Sequence, residues 1–194
     1  KTHATINIEY KLSVPEDGTD CYTDLDSFAA GGKTLIFTNS YGHQFCYGEG
    51  QDAVQAKYPN VTFVSLTGDL AATTSYTNYK NAFTSVYQSR YVSGVVAGLK
   101  LKQLDEDGLI EAKNKDADGK VKIGYVGAFN YAEVVSGYTS FYLGAKSVCP
   151  SVTMKVKFTG SWYDYDKEKA AAEALISEGC VLISQHADSY GAPE

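Results

Sequence analysis

CVLISQHADS, residues 180–189, couples a short apolar run to a polar tip. The run 180–184 has the length and composition of a strand buried on both faces, and a helical pattern over 166–178 stands directly before it. A helix that feeds the chain into such a strand is the building unit of parallel α/β sheets. In those sheets ligands meet the chain where strands end, so the polar tip makes His186, Asp188 and Ser189 the first candidates for a binding site.

Working outward, the same alternation recurs. Residues 121–126 read as a strand, 131–148 as a helix with Val134, Val135, Phe141, Leu143 and Ala145 at helical spacing, and 153–158 as a further strand. Upstream, 4–14 reads as a strand with Ile6, Ile8 and Tyr10 on one face, 19–30 as a helix and 34–38 as a short apolar strand. A helix over 50–58 closed by Pro59, a strand over 61–66 and a long helix over 78–103 follow. Gly94 and Gly98 in that long helix form a GxxxG pair; Lys80, Arg90 and Lys100 make its host too polar for a membrane, so the pair signals close helix packing. The charged stretch 104–120 lacks apolar periodicity and reads as a solvated connection. The expected architecture is α/β, with a first lobe over 1–118 and a second over 119–194, each a parallel sheet.

Composition narrows the function. Of 194 residues 44% are hydrophobic, enough for a real core. Seventeen basic against twenty-three acidic residues leave a net charge of −6, and no Lys/Arg cluster suits a phosphate backbone, so nucleic acid is not an expected partner. No stretch is apolar for the roughly 18 residues a membrane span requires, and the N-terminus lacks a signal-peptide layout. The chain reads as a fragment, so missing targeting signals say little about location. Sixteen tyrosines, eight phenylalanines and one tryptophan fit either general packing or a wet binding cleft in an exported protein. Cys21, Cys46, Cys149 and Cys180 follow no zinc spacing. Cys149 and Cys180 are expected as buried free thiols, and a disulfide in any pair is the less favoured reading.

Catalytic and metal motifs are missing. There is no GxSxG elbow, no GxxxxGK[ST] loop and no HExxH; His3, His43 and His186 are isolated. DADGK, residues 116–120, has the start of a calcium loop without its later ligands and reads as a polar turn. Neither metal nor cofactor is called for, and the chain is not read as an enzyme. What remains informative is the set of strand-end loops: 38–45 with Ser40 and Tyr41, 67–76, 127–130 with Phe129 and Asn130, 159–166 with Trp162 and Asp164, and 185–189. They are rich in aromatics, amides and carboxylates, the mixture that sandwiches a flat polar ring and hydrogen-bonds its edge.

Each candidate has a plainer alternative. Trp162 either stacks on a ligand or packs its loop against the sheet; Asp164 or Asp166 caps the following helix, with Asp166 the better fit. His186 suits a satisfied loop histidine equally well. Asp188, a carboxylate at a buried strand's end, needs a cap partner, water or a ligand hydroxyl to offset its desolvation.

The segments GYVGAFNYAEVVSGYTSFYLGAKSVCPSV, TGSWYDYDKEKAAAEALISEGC and ISQHADS resemble the BMP-type substrate-binding lipoproteins of ABC importers, which typically carry purine nucleosides or related bases. LIFTNSYG, KYPNVTF and SRYVSGVVAGLKLK also fit that family. The resemblance implies a periplasmic-binding-protein type I fold, two Rossmann-like lobes hinged around a ligand cleft. It implies an extracytoplasmic, lipid-anchored parent protein, a small-molecule ligand and an ABC permease as partner. Against the family's extent, the opening βα unit and everything after the QHADS strand are missing. The resemblance also implies that Trp162 stacks on a base while Asp164 accepts from a ring or sugar donor. A ligand-sensing domain of a regulator or receptor with the same fold is the alternative, since fold alone does not separate transport from sensing.

Overall fold

In the computed structural model, which describes residues 6–194, the chain divides after Thr84 into a first unit and a second unit, Ser85–Glu194. The division falls well before the boundary expected at 118/119. The reason is the long helix, whose glycines pack it onto a helix of the second half.

The first unit contains α1 (Thr19–Ala30), β1 (Leu35–Thr38), α2 (Val54–Lys57), β2 (Thr62–Leu66) and β3 (Tyr79–Ala82), with a 3₁₀ segment at Gly42–Tyr47. Its sheet is parallel in the order β1-β2-β3. Cys21, Leu25 and Ala29 recur one turn apart along α1 and bury together with Ile36, Val54, Phe63 and Tyr79. Cys21 and Cys46 form a disulfide across this core, with Cα atoms 5.6 Å apart, which corrects the preference for unpaired cysteines. Cys149 and Cys180 are free thiols, Cys180 buried and Cys149 half-buried.

Several expected elements change. Ala4 and Thr5 of the expected first strand, and His3, lie outside the described residues; from 6 to 14 the chain forms no strand, and Ile6, Ile8, Tyr10 and Leu12 are all exposed. Alternation of apolar residues suits a strand but does not supply the neighbouring ladder a strand needs. The expected helix over 50–58 is a 3₁₀ turn, Gly50–Asp52, followed by the single turn of α2. The stretch expected to open the long helix instead contains β3, held by polar side chains: Asn81 Oδ1 accepts from Ala71 N and Asn81 Nδ2 donates to Thr67 O, while Asn78 Nδ2 reaches the carbonyls of Gln55, Tyr58 and Val61.

The second unit contains α3 (Val86–Glu106), β4 (Val121–Gly127), α4 (Ala132–Val148), β5 (Val152–Phe158), α5 (Tyr165–Ser177) and β6 (Ile183–Gln185). Its sheet is parallel in the order β5-β4-β6, with Tyr125 of β4 opposite Val156 and Ser184. β4 is buried along nearly its whole length, as expected for the central strand of a covered parallel sheet. The connection from α3 to β4 carries the polar turn expected at Asp116, whose carboxylate accepts from the backbone of Asp118 and Lys120.

The GxxxG pair does what its spacing implies. A Cβ at Gly94 would lie 2.0 Å from Phe141 O, one at Gly98 2.5 Å from Ala145 O, and one at Gly144 2.1 Å from Tyr91 O, so α3 and α4 meet backbone to backbone. Gly94→Ala is therefore expected to lower the melting temperature sharply or prevent folding, whereas Val96→Ala, at an exposed position of the same helix, leaves it within a degree or two. Differential scanning calorimetry distinguishes them.

The disulfide yields a second expectation. Alkylation under denaturing, non-reducing conditions labels Cys149 and Cys180 alone by peptide mass spectrometry. Cys21→Ser with Cys46→Ser costs about 3.5 kcal/mol in chemical denaturation, the loop-closure contribution for a sequence separation of 25.

Candidate functional site

Because β4, β5 and β6 run parallel, their C-terminal ends share one edge of the second sheet and deliver three loops to it. Backbone bonds lace these loops together: Thr159 N to Gly127 O at 2.9 Å, Gly160 N to Ala128 O at 2.8 Å, His186 N to Val126 O at 2.7 Å and Asp188 N to Trp162 O at 2.7 Å. On this frame stands a group of rings. Phe129 and Tyr131 stack at 4.9 Å and 16°, and Trp162 meets Phe129 edge-on at 5.4 Å and Tyr131 at 6.3 Å. The His186 ring lies 6.2 Å from Trp162 and 6.5 Å from Tyr125, with His186 Nδ1 3.4 Å from Tyr125 Oη. Trp162 Nε1 is buried and has no hydrogen-bond partner among the described residues, unusual for an indole donor.

Around the rings is a set of titratable groups, of which Arg90 and Glu133 were not singled out by the sequence reading. Arg90 of α3 donates from Nη1 to Gln185 O at 3.1 Å, and its charge is felt at His186, Glu133, Asp188 and Tyr125. Burial pushes the Glu133 carboxyl up, with Asp188 adding to the shift and Arg90 opposing it. Burial likewise raises Asp188, reinforced by Glu168 and opposed by Arg90. Glu133 Oε2 is buried without a hydrogen-bond partner among the described residues. Burial first, then Arg90, lowers His186 from 6.5 to about 4, so its imidazole is neutral at physiological pH.

Two expected ligand contacts, Asp164 and Ser189, have partners within the scaffold. Asp164 is the N-cap of α5: its Oδ1 accepts from Lys167 N at 3.0 Å and its Oδ2 pairs with Lys167 Nζ at 2.9 Å. Asp166, the expected cap, sits in the first turn, because the helix starts earlier than its apolar pattern does. Ser189 is buried; its hydroxyl accepts from Gly191 N at 3.1 Å and its own N–H donates to Glu168. Glu168 is fully buried and also accepts from Asp164 N, so one carboxylate ties α5 to the loops after β5 and β6. Phe129, Trp162, His186 and Asp188 remain gathered at the strand ends, and Asn130 is exposed beside them.

In the first unit, Ser40 donates to Glu16 Oε1, which also accepts from Gly42 N at 3.0 Å, and Tyr41 meets Phe45 edge-on at 6.2 Å. These residues sit at the C-terminal end of β1. A hollow of about 340 Å³ in the second unit lies elsewhere, at the N-terminal ends of β4 and β5 beside Val121, Cys149 and Lys102. It is away from the ring cluster. Among the described residues no group of three His, Cys, Asp or Glu could hold a metal ion, and no helix is long and apolar enough to cross a membrane.

Parallel sheets whose strand-end loops carry aromatic rings and carboxyls define an α/β protein with a candidate ligand surface at the strand ends. The chain belongs to the family of PnrA-like ABC transporter substrate-binding proteins, whose pattern it matches over residues 1–193. It is 36% identical over 176 residues to a purine-binding protein of Brucella abortus, covering 91% of this chain and 43% of that protein. It is 32% identical over 188 residues to a candidate ABC transporter glucose-binding protein, TsgA13, of Haloferax volcanii, covering 96% and 41%. The chain thus spans less than half the length of these relatives. An ABC transporter solute-binding protein from Conexibacter woesei superposes with a TM-score of 0.57 at 23% identity, over 91% of this chain and 52% of that one, a likeness of fold. The fold is of the periplasmic-binding-protein type I kind. The family is one of substrate-binding proteins.

The depressed His186 titration has a measurable sign. The unfolded chain takes up this proton near pH 6.5 and the folded chain only near 4, so His186 removes stability as pH falls through that window. Glu133 and Asp188, raised by burial, act in the opposite direction. Comparison with His186→Gln isolates the histidine: relative to the variant, the parent's melting temperature is expected to drop between pH 6.5 and 4 and to run parallel to it above pH 7.

Proposed function

We propose that this chain forms the ligand-holding part of an extracytoplasmic, lipid-anchored binding protein that delivers a purine nucleoside or nucleobase to an ABC permease. The observation that carries the reading is the ring group at the ends of β4, β5 and β6. Phe129, Tyr131 and Trp162 offer broad aromatic surface, and polar groups of both kinds surround it. A purine is a flat, polarisable ring with donors and acceptors confined to its edge, so stacking supplies affinity and edge contacts supply orientation.

In this reading the base lies against Trp162, with Phe129 behind it. Asp188 and Glu133 accept from ring or sugar donors, and a donor brought to Glu133 Oε2 would satisfy an acceptor that otherwise has none. Arg90 donates to ligand acceptors while holding the carbonyl of Gln185. The purine-binding relative supports this choice of ligand. A sugar is the second reading, favoured by the Haloferax relative, because an aromatic face also packs against sugar C–H groups and carboxylates grip hydroxyls.

Calorimetry of the intact protein with adenosine, guanosine, inosine, free bases and glucose separates the two. Heat with at least one purine and none with glucose is expected; glucose alone, or no ligand at all, would sink the purine reading. Trp162→Ala is expected to weaken purine binding about tenfold or more, equivalent to about 1.4 kcal/mol of lost stacking. An unchanged dissociation constant would remove Trp162 from the contact.

A further inference from the structure

Two glycines of α4 are forced by close approach, and they serve different ends. Gly144 lets the helix backbones meet, whereas Gly137 faces a side chain: a Cβ there would lie 2.9 Å from His186 Nδ1, 3.1 Å from His186 Cε1 and 3.7 Å from Tyr125 Oη. Gly137 lies mid-helix and buried, at a position where alanine would favour the helix. Local helix stability therefore argues against glycine there; space for the imidazole argues for it.

We propose that Gly137 is a positioning residue for the aromatic platform: by leaving a notch in α4 it seats the His186 ring, and His186 sets where Trp162 lies. The backbone of His186 cannot retreat, because its N–H is fixed to Val126 O at 2.7 Å in continuation of the β6 ladder. Tyr125 Oη stands at Nδ1, 3.4 Å away, so the ring is contacted there from β4. The Trp162 ring is its other aromatic neighbour, 6.2 Å away, and it meets Phe129 and Tyr131 in turn. A side chain entering the notch displaces the imidazole, and the displacement passes to the indole. The aromatic surface is thus set from α4, through the space Gly137 leaves beside His186.

Trp162 is the only tryptophan in the 194 residues, so its emission reports this geometry directly. In ligand-free protein Gly137→Ala is expected to shift the emission maximum or intensity while the melting temperature holds or rises. In a His186→Ala background the same Gly137→Ala change is expected to be silent, because the ring it displaces is gone. A merely structural glycine would give the same emission change with and without His186, and that result overturns the proposal. Should Gly137→Ala fail to fold, His186→Ala alone decides: an unchanged Trp162 emission refutes the coupling.

Adenosine titration adds an affinity arm, which rests on the reading of Trp162 as the stacking surface. There Gly137→Ala is expected to weaken binding about fivefold, and adding His186→Ala is expected to bring the dissociation constant to that of His186→Ala alone. Coupled emission changes with no adenosine binding by any variant would uphold the positioning role and sink the purine reading. Binding equally tight in parent and Gly137→Ala, with unchanged emission, would do the reverse.

Discussion

The parallel pairing of β4 with both β5 and β6 is the constraint on which the second unit's candidate site rests. With all three strands pointing one way, the loops at 128–131, 159–164 and 186–189 leave the sheet at one edge despite their separation in sequence. Three of the backbone bonds among these loops continue the strand ladders, and the fourth, Asp188 N to Trp162 O, joins the loops after β6 and β5. Ring packing among Phe129, Tyr131 and Trp162 then has a fixed base. The same sheet buries β4 on both faces, so the core and the site draw on one strand.

Two kinds of close packing hold this arrangement from outside the sheet. Backbone contact between α3 and α4, permitted by Gly94, Gly98 and Gly144, brings Arg90 to the carbonyl of Gln185 at the end of β6. The buried Glu168 carboxylate accepts from the backbone of Asp164 and Ser189, binding α5 to the loops on either side of it. A buried carboxyl group of this sort is tolerated because N–H donors meet its oxygens. In the first unit the comparable tie is covalent, the disulfide from α1 to the segment after β1. A disulfide suits a protein that works outside the reducing cytoplasm.

Among the described residues, Arg90, Glu133 and Asp188 form no direct ion pair with one another. Glu133 and Asp188 are raised by burial, Arg90 opposes both, and His186 is kept neutral.

Much of this was written in the local sequence. Helical spacing in Thr19–Ala30, the apolar run of β4, the GxxxG pair and the loops bearing Phe129, Trp162 and Asp188 follow from side-chain periodicity and from where apolar runs end, which are properties of neighbours along the chain. Four features were not. The segment 6–14 alternates like a strand yet has no ladder; β3 is a strand because Asn78 and Asn81 fasten it to distant carbonyls and amides; Cys21 meets Cys46; and Arg90 and Glu133 join a site otherwise built from strand-end loops. Each depends on which residues remote in sequence come within a few ångströms. Composition and spacing specify what a segment can do, and only packing specifies what it has been given to do it with.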